Sequence, residues 1–259
     1  MQRRELVRSG LFGVAAAAAG AAHAAQDAAP AKKRLSENWD VVVVGAGFAG
    51  MCAALEAAER GAKTVLLEKM NRPDGATVYS SGWIAAVGSR FQKNHPEDSP
   101  KAFFEDMMRL SHQRSDPELI KVYAEESGAG IDWLADHGTP FYLWEGLPAP
   151  ELSRCLISPG EGITGGSKLI RCLMAALEKK GVAIHYNTKA VSLVKDECFN
   201  VEGVSCITPE GRKDYLARGG VILTTGGYGA NEAMVDKYIG PWASRLIVRG
   251  SPWITGRTF

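Results

Sequence analysis

Four consecutive valines, Val41 to Val44, run straight into Gly45-Ala46-Gly47-Phe48-Ala49-Gly50, and this junction constrains the chain more than any other feature. Asp40-Val41-Val42-Val43-Val44 suits a strand buried on both faces. Ala49 to Arg60 reads as a helix lined with small residues, Gly61 ends it, and Lys63 to Leu67 forms a second buried strand closing on Glu68. Strand, helix and strand fit within about 30 residues, the length of one parallel βαβ unit.

At such a strand-to-helix turn Gly45 permits the tight bend, Gly47 lets a pyrophosphate approach the backbone, and Gly50 lets helix and strand pack closely. Ala46, Phe48 and Ala49 complete this phosphate loop, and the helix N-terminus offers free N–H groups and positive potential to the phosphates. Glu68, with Lys69 after it, ends the next strand about 20 residues on, where a carboxylate hydrogen-bonds the adenosine ribose. The chain is therefore expected to bind a dinucleotide. A nicotinamide dehydrogenase would continue with another helix and strand, whereas here a loop of small residues follows, Asp74-Gly75-Ala76-Thr77-Val78-Tyr79-Ser80-Ser81-Gly82. That loop suits a ribityl chain and a flavin N5. Thr225-Gly226-Gly227, at the end of the buried strand Val221 to Thr224, likewise lets the backbone pass close to a cofactor. Both features favour FAD over NAD.

Between these motifs, Ser99-Pro100 and Asp116-Pro117 each place a capping residue before a proline at the first helical position. Helices are predicted over Pro100 to His112 and Pro117 to His137, with Gly138 as C-cap. Pro140 to Pro159 reads as an extended connection, and Ser167 to Lys180 as a further helix stopped by Gly181. Strands follow over Val182 to Tyr186, Ala190 to Lys195 and Val201 to Ile207, then a turn at Pro209-Glu210-Gly211, and Asn231 caps a last helix to about Tyr238.

The first 24 residues read as an export signal: Arg3 and Arg4, then Leu6-Val7-Arg8, an alanine- and glycine-rich run from Leu11 to Ala22, and small residues at Ala22-His23-Ala24. The paired arginines resemble a twin-arginine signal, with an ordinary secretory signal or a chance alanine-rich leader as the alternative. An export signal implies a periplasmic protein, and the apolar run is too short to span a bilayer, so no stable membrane insertion is expected. Residues 25–38 read as a linker and 39–259 as the FAD-binding domain, with a mainly helical excursion at about 91–150. Lys+Arg total 30 against Asp+Glu 29, so no basic field exists to recruit nucleic acid. Cys52, Cys155, Cys172, Cys198 and Cys206 form no CxxC pair, haem site or zinc-like group. His23, His95, His112, His137 and His185 show no ligand spacing, so no metal site is expected, and Arg154 and Arg171 read as solvated charges.

The stretch DVVVVGAGFAGMCAALEAAERGAKTVLLEK, with GATVYSSG and VILTTGGYGAN in the same order, resembles the fumarate reductase and succinate dehydrogenase flavoprotein family. That superfamily includes soluble periplasmic flavocytochrome-type fumarate reductases, urocanate-type reductases and 3-ketosteroid dehydrogenases. The resemblance implies an α/β fold: a Rossmann-like FAD-binding domain, its parallel sheet flanked by helices and carrying a small antiparallel β insertion, without the family's capping domain. It implies the pyrophosphate at Gly45, Gly47 and Gly50, the ribose at Glu68, and the flavin along Thr77, Ser81 and Gly82. It further implies an adenine contact near Ala190 and backbone support from Thr225, Gly226 and Gly227. The implied reaction is hydride transfer between flavin N5 and an activated carbon-carbon double bond of a carboxylate or enone, with electrons from a separate cytochrome-type donor.

Three departures stand out. Asp74 replaces one of a pair of glycines and is expected to point outward. Trp83 follows Gly82 where many members have a small residue, altering access to N5. After Thr255-Gly256 the family continues into the part carrying its catalytic acid and substrate clamp, so no catalytic residue is assigned. Two alternatives stand beside the reductase: a truncated, inactive FAD-binding fragment, and a 3-ketosteroid dehydrogenase or amino-acid oxidase of the same superfamily.

Overall fold

The computed structural model describes residues 35–93, 98–145, 154–160 and 162–256. The chain divides into two units, Met1–Leu35 and Ser36–Phe259. Of the first only Leu35 is described, so the expected export signal and most of the linker lie outside the described residues, as do His23 and His95.

A six-stranded sheet organises the second unit, in the order β6 (Ala183–His185), β2 (Thr64–Leu67), β1 (Leu35–Val44), β9 (Gly211–Leu223), β8 (Val201–Thr208) and β7 (Lys189–Lys195). The first three strands are parallel, and β7, β8 and β9 form an antiparallel meander. Helix α1 (Phe48–Glu59) connects β1 to β2. The first strand starts at Leu35, earlier than the expected Asp40, and the last is a 13-residue strand rather than a short terminal one. In the added segment Glu37 meets the Lys213 amine on β9.

The valine run is buried on both faces, as its composition predicts. Val43 joins Leu66, then Met51 and Leu55 of α1, in one core, together with Leu169, Leu173 and Leu177 of helix α4 (Gly165–Lys179). Val42, Val44, Val65 and Leu67 point the other way, against Val204, Cys206 and Tyr215 of the meander.

A second, three-stranded sheet pairs β3 (Trp83–Ala85) and β4 (Tyr142–Leu143) with β5 (Cys155–Ile157). It lies partly where an extended connection was expected, and it forms because Ile84, Leu143 and Leu156 carry the core outward from α1 and α4. Helices α2 (Pro100–Leu110) and α3 (Pro117–Asp136) begin at the predicted caps: Ser99 accepts from Ala102 N, and Asp116 from the amides of Glu118 and Leu119.

Arg154 is not a solvated charge. It is 5% exposed, sends Nε to Asp98 at 2.6 Å and Nη1 to Asp106 at 2.7 Å, and lies over the Phe103 ring, tying the small sheet to α2. Helix α5 (Glu232–Tyr238) follows the main sheet, capped by Asn231. No described helix is long and apolar enough to cross a membrane.

Candidate FAD site

The carboxyl ends of β1, β2 and β9 open onto a cleft of about 370 Å³. Ligands bind open α/β sheets outside the strand carboxyl ends. Gly45 makes the turn out of β1 with φ of +107°, a conformation only glycine adopts freely, and its amide donates to the Leu67 carbonyl at 2.7 Å. Gly50 is required by proximity, since a Cβ there would stand 1.9 Å from the Gly45 carbonyl oxygen. Thr224 closes the bend from β9, donating its hydroxyl to the carbonyls of Val44 and Gly45.

Four of the five described α-helices have a side-chain N-cap: Ser99, Asp116, Thr164 and Asn231. Helix α1 has none, with Gly47 at the N-cap position and no acidic residue in its first turn. Its leading amides therefore face the cleft with no side-chain acceptor, the donor set that a pyrophosphate needs. The opposite wall leaves room for it. A Cβ on Gly47 would find only the Asp74 carbonyl oxygen, at 3.8 Å, and one on Gly227 would meet nothing within 4 Å. The residues present thus fit a dinucleotide diphosphate.

Glu68, 6% exposed, closes the adenosine end. It takes the Ala46 amide on Oε2 at 2.8 Å and the Met70 amide on Oε1 at 2.9 Å, which locks the glycine turn to the end of β2 and leaves further lone pairs toward the cleft. Ala190, with Thr188 and Lys189, forms the adjacent wall. Partial burial pushes the Lys69 amine down despite Glu68 beside it, and that amine donates to the Trp253 carbonyl.

Of the residues expected from sequence, Gly45, Gly47, Phe48, Ala49, Glu68, Lys69, Thr77, Ala190, Thr225, Gly226 and Gly227 line this cleft. Ala46 lies just behind it, fully buried, and Gly50 acts through packing. Ser81 and Gly82 do not line it. They pack against the start of α4, where a Cβ on Gly82 would come within 2.5 Å of Gly165. Asp74 overturns its expectation. It is 4% exposed and turned inward, its Oδ1 accepting from Gly75 N at 2.6 Å and from Ser251 Oγ at 2.8 Å.

Sequence reasoning also missed a whole wall, formed by Ser251, Trp253, Ile254, Thr255 and Gly256. Long-range contacts place them, to the Thr225–Gly227 loop on one side and to Lys69 and Asp74 on the other. Gly256 N donates to the Gly227 carbonyl at 3.1 Å, and Asn231 Nδ2 to the Thr255 carbonyl at 2.9 Å.

Residues 40–259 match a family described as the FAD binding domain. The chain belongs to that family, and its cofactor is FAD. This FAD-binding domain is 35% identical over 233 residues to the urocanate reductase of Eggerthella lenta, a match covering 87% of this chain and 38% of that protein. It superposes on an open-conformation flavocytochrome c3 fumarate reductase with a TM-score of 0.77 and 31% identity, over 86% of this chain and 39% of that one. The corresponding values for a 3-ketosteroid-Δ4-(5α)-dehydrogenase from Rhodococcus jostii are 0.79 and 27%, over 89% of this chain and 54% of that one. The chain spans 22–45% of the length of the curated relatives it matches, and the part it matches is the N-terminal portion of the fumarate-reductase-like flavoproteins.

Proposed function

We propose that this FAD-binding domain serves a reductase that saturates a carbon-carbon double bond conjugated to a carboxylate or carbonyl. The observation that carries the reading is the uncapped N-terminus of α1 facing the glycine-lined cleft, in a chain that shares its fold with reductases of enoate substrates. When bound, FAD supplies hydride transfer at N5. The chain's own part is to hold and orient. The amides of Gly47, Phe48 and Ala49 receive the diphosphate, Glu68 receives the adenosine ribose, and Ala190 flanks the adenine. Thr77 and the Thr225–Gly227 backbone would line the path of the remaining length of the cofactor. Donors fixed by the helix before the ligand arrives lower the ordering cost of binding.

A separate cytochrome-type donor supplies the electrons, and Arg3 and Arg4 direct export to the periplasm, which a reporter fusion with both arginines replaced by lysine would test. The test of function is direct: purified protein carries flavin absorbance and oxidises reduced viologen when given fumarate, urocanate or another enoate. A colourless protein that binds no added FAD would sink the reading. The similarity to the Rhodococcus jostii enzyme favours one alternative, a 3-ketosteroid as substrate. Turnover of 4-androstene-3,17-dione with no turnover of any enoate would select it.

A further inference from the structure

We propose that Asp74 and Ser251 form a latch that holds the Ser251–Gly256 wall across the cleft, making both positioning residues that set how long FAD stays bound. The inference rests on the reading of this cleft as the FAD site. Both side chains are buried at the lining, Ser251 completely. The Ser251 hydroxyl donates to Asp74 Oδ1 at 2.8 Å and accepts the Trp253 amide at 3.2 Å, so one hydroxyl connects the loop after β2 to the backbone of the wall.

The wall has two kinds of anchor. Its far half is tied to the β9–α5 connection, where Ala230 N donates to the Ile254 carbonyl and Gly256 N to that of Gly227, both at 3.1 Å. Its near half reaches the β2 side of the cleft through Asp74 and through the Lys69 amine on the Trp253 carbonyl. The approach to it contributes little grip, since Leu246, Ile247 and Val248 are 61%, 85% and 53% exposed. Burial protects the Asp74–Ser251 hydrogen bond from competing water. Opening the Asp74–Ser251 bond leaves the near half of the wall on the Lys69 contact and loosens the cleft on the side where β2 delivers Glu68.

The variants that test this are Ser251→Ala, which removes the donor, Asp74→Gly, which removes the acceptor, and Asp74→Asn, which keeps an acceptor oxygen without the charge. In the full chain, FAD release followed by the return of flavin fluorescence should be about tenfold faster or more for S251A and D74G, and within about twofold of wild type for D74N. Amide exchange at Trp253 in the FAD-free protein should accelerate in the same two variants. Unchanged release and exchange in S251A and D74G would overturn the latch. So would faster release with unchanged exchange, which would make Asp74 a direct cofactor contact, or a D74N as loose as D74G, which would assign the effect to charge. If D74G does not fold by urea titration, S251A and D74N decide alone. A wild-type chain that binds no FAD would defeat the cofactor reading separately, while exchange in the free protein would still test the latch.

Discussion

Glu68 accepts the Ala46 amide at 2.8 Å across the mouth of the βαβ unit, joining the first residue after the Gly45 turn to the end of the neighbouring strand. The same carboxylate takes the Met70 amide at 2.9 Å. A residue expected to serve only the ribose therefore also builds the turn that holds the diphosphate. Glu68→Ala should destabilise the fold by about 2 kcal/mol, because one buried and one half-buried amide lose their acceptor, and should abolish FAD binding. Glu68→Gln, which keeps one acceptor oxygen, should lose about half as much. Urea unfolding and FAD titration of the two variants check both statements.

Two glycines of the site should fail in opposite ways. Gly50→Ala places a methyl 1.9 Å from the Gly45 carbonyl and 2.5 Å from Thr224 Oγ1, so strand and helix must separate. Its unfolding free energy should fall by about 3 kcal/mol or more. Gly227→Ala meets nothing within 4 Å and should fold normally, yet bind FAD at least about tenfold more weakly because its methyl enters the cradle. Paired unfolding and binding curves separate the two effects.

Arg154 clamps Asp98 and Asp106 with its own side chain nearly buried. Arg154→Leu should cost about 3 kcal/mol, the usual result of removing one partner of a buried charge pair. The hydrogen bond from Arg154, then that from Arg109, holds the Asp106 carboxyl below its usual range. Its contribution is therefore complete above pH about 4 and lost as pH falls through the lowered folded value. Urea midpoints from pH 3 to 7 should show that acid limb in the wild type and a weakened one in the variant.

His137 and His185 should titrate on opposite sides of the free imidazole. Burial opposes charge at His137, but the Trp133 carbonyl at 2.7 Å and Glu59 at 3.1 Å outweigh it and raise its pKa. Burial dominates at His185 and lowers its pKa, although Glu37 opposes the shift. His137 then adds stability below pH about 6.5 that is lost as pH rises through its folded value, whereas His185 withdraws stability as pH falls below about 6.5. Imidazole NMR titrations should give two midpoints in that order, and His185→Gln should flatten the acid-side loss.

The βαβ unit was legible because its signals are local: the valine run, the glycine spacing and Glu68 lie within one short stretch. The caps at Ser99, Asp116 and Asn231 were legible for the same reason, each lying within three residues of the amide that donates to it. What escaped was long-range. Asp74 turned inward because a hydroxyl 177 positions away completes its shell, and nothing near Asp74 announces Ser251. Glu37 looked like linker until Lys213 paired with it. Arg154 looked solvated because its two aspartates lie 56 and 48 positions earlier. Ser81 and Gly82 fell outside the cleft because α4 packs on them, a tertiary contact that a small-residue loop satisfies as well as a cofactor does.

The wall at Ser251–Gly256 also orders events in time. A ribosome adds about 5–20 residues per second, so the 177 positions from Asp74 to Ser251 take roughly 10–35 s to emerge. Within that interval the glycine turn and Glu68 come first, Ala190 and the Thr225–Gly227 loop follow, and the Ser251–Gly256 wall comes last. On the proposed latch, the contact that retains FAD is thus the last part of the cleft to be made.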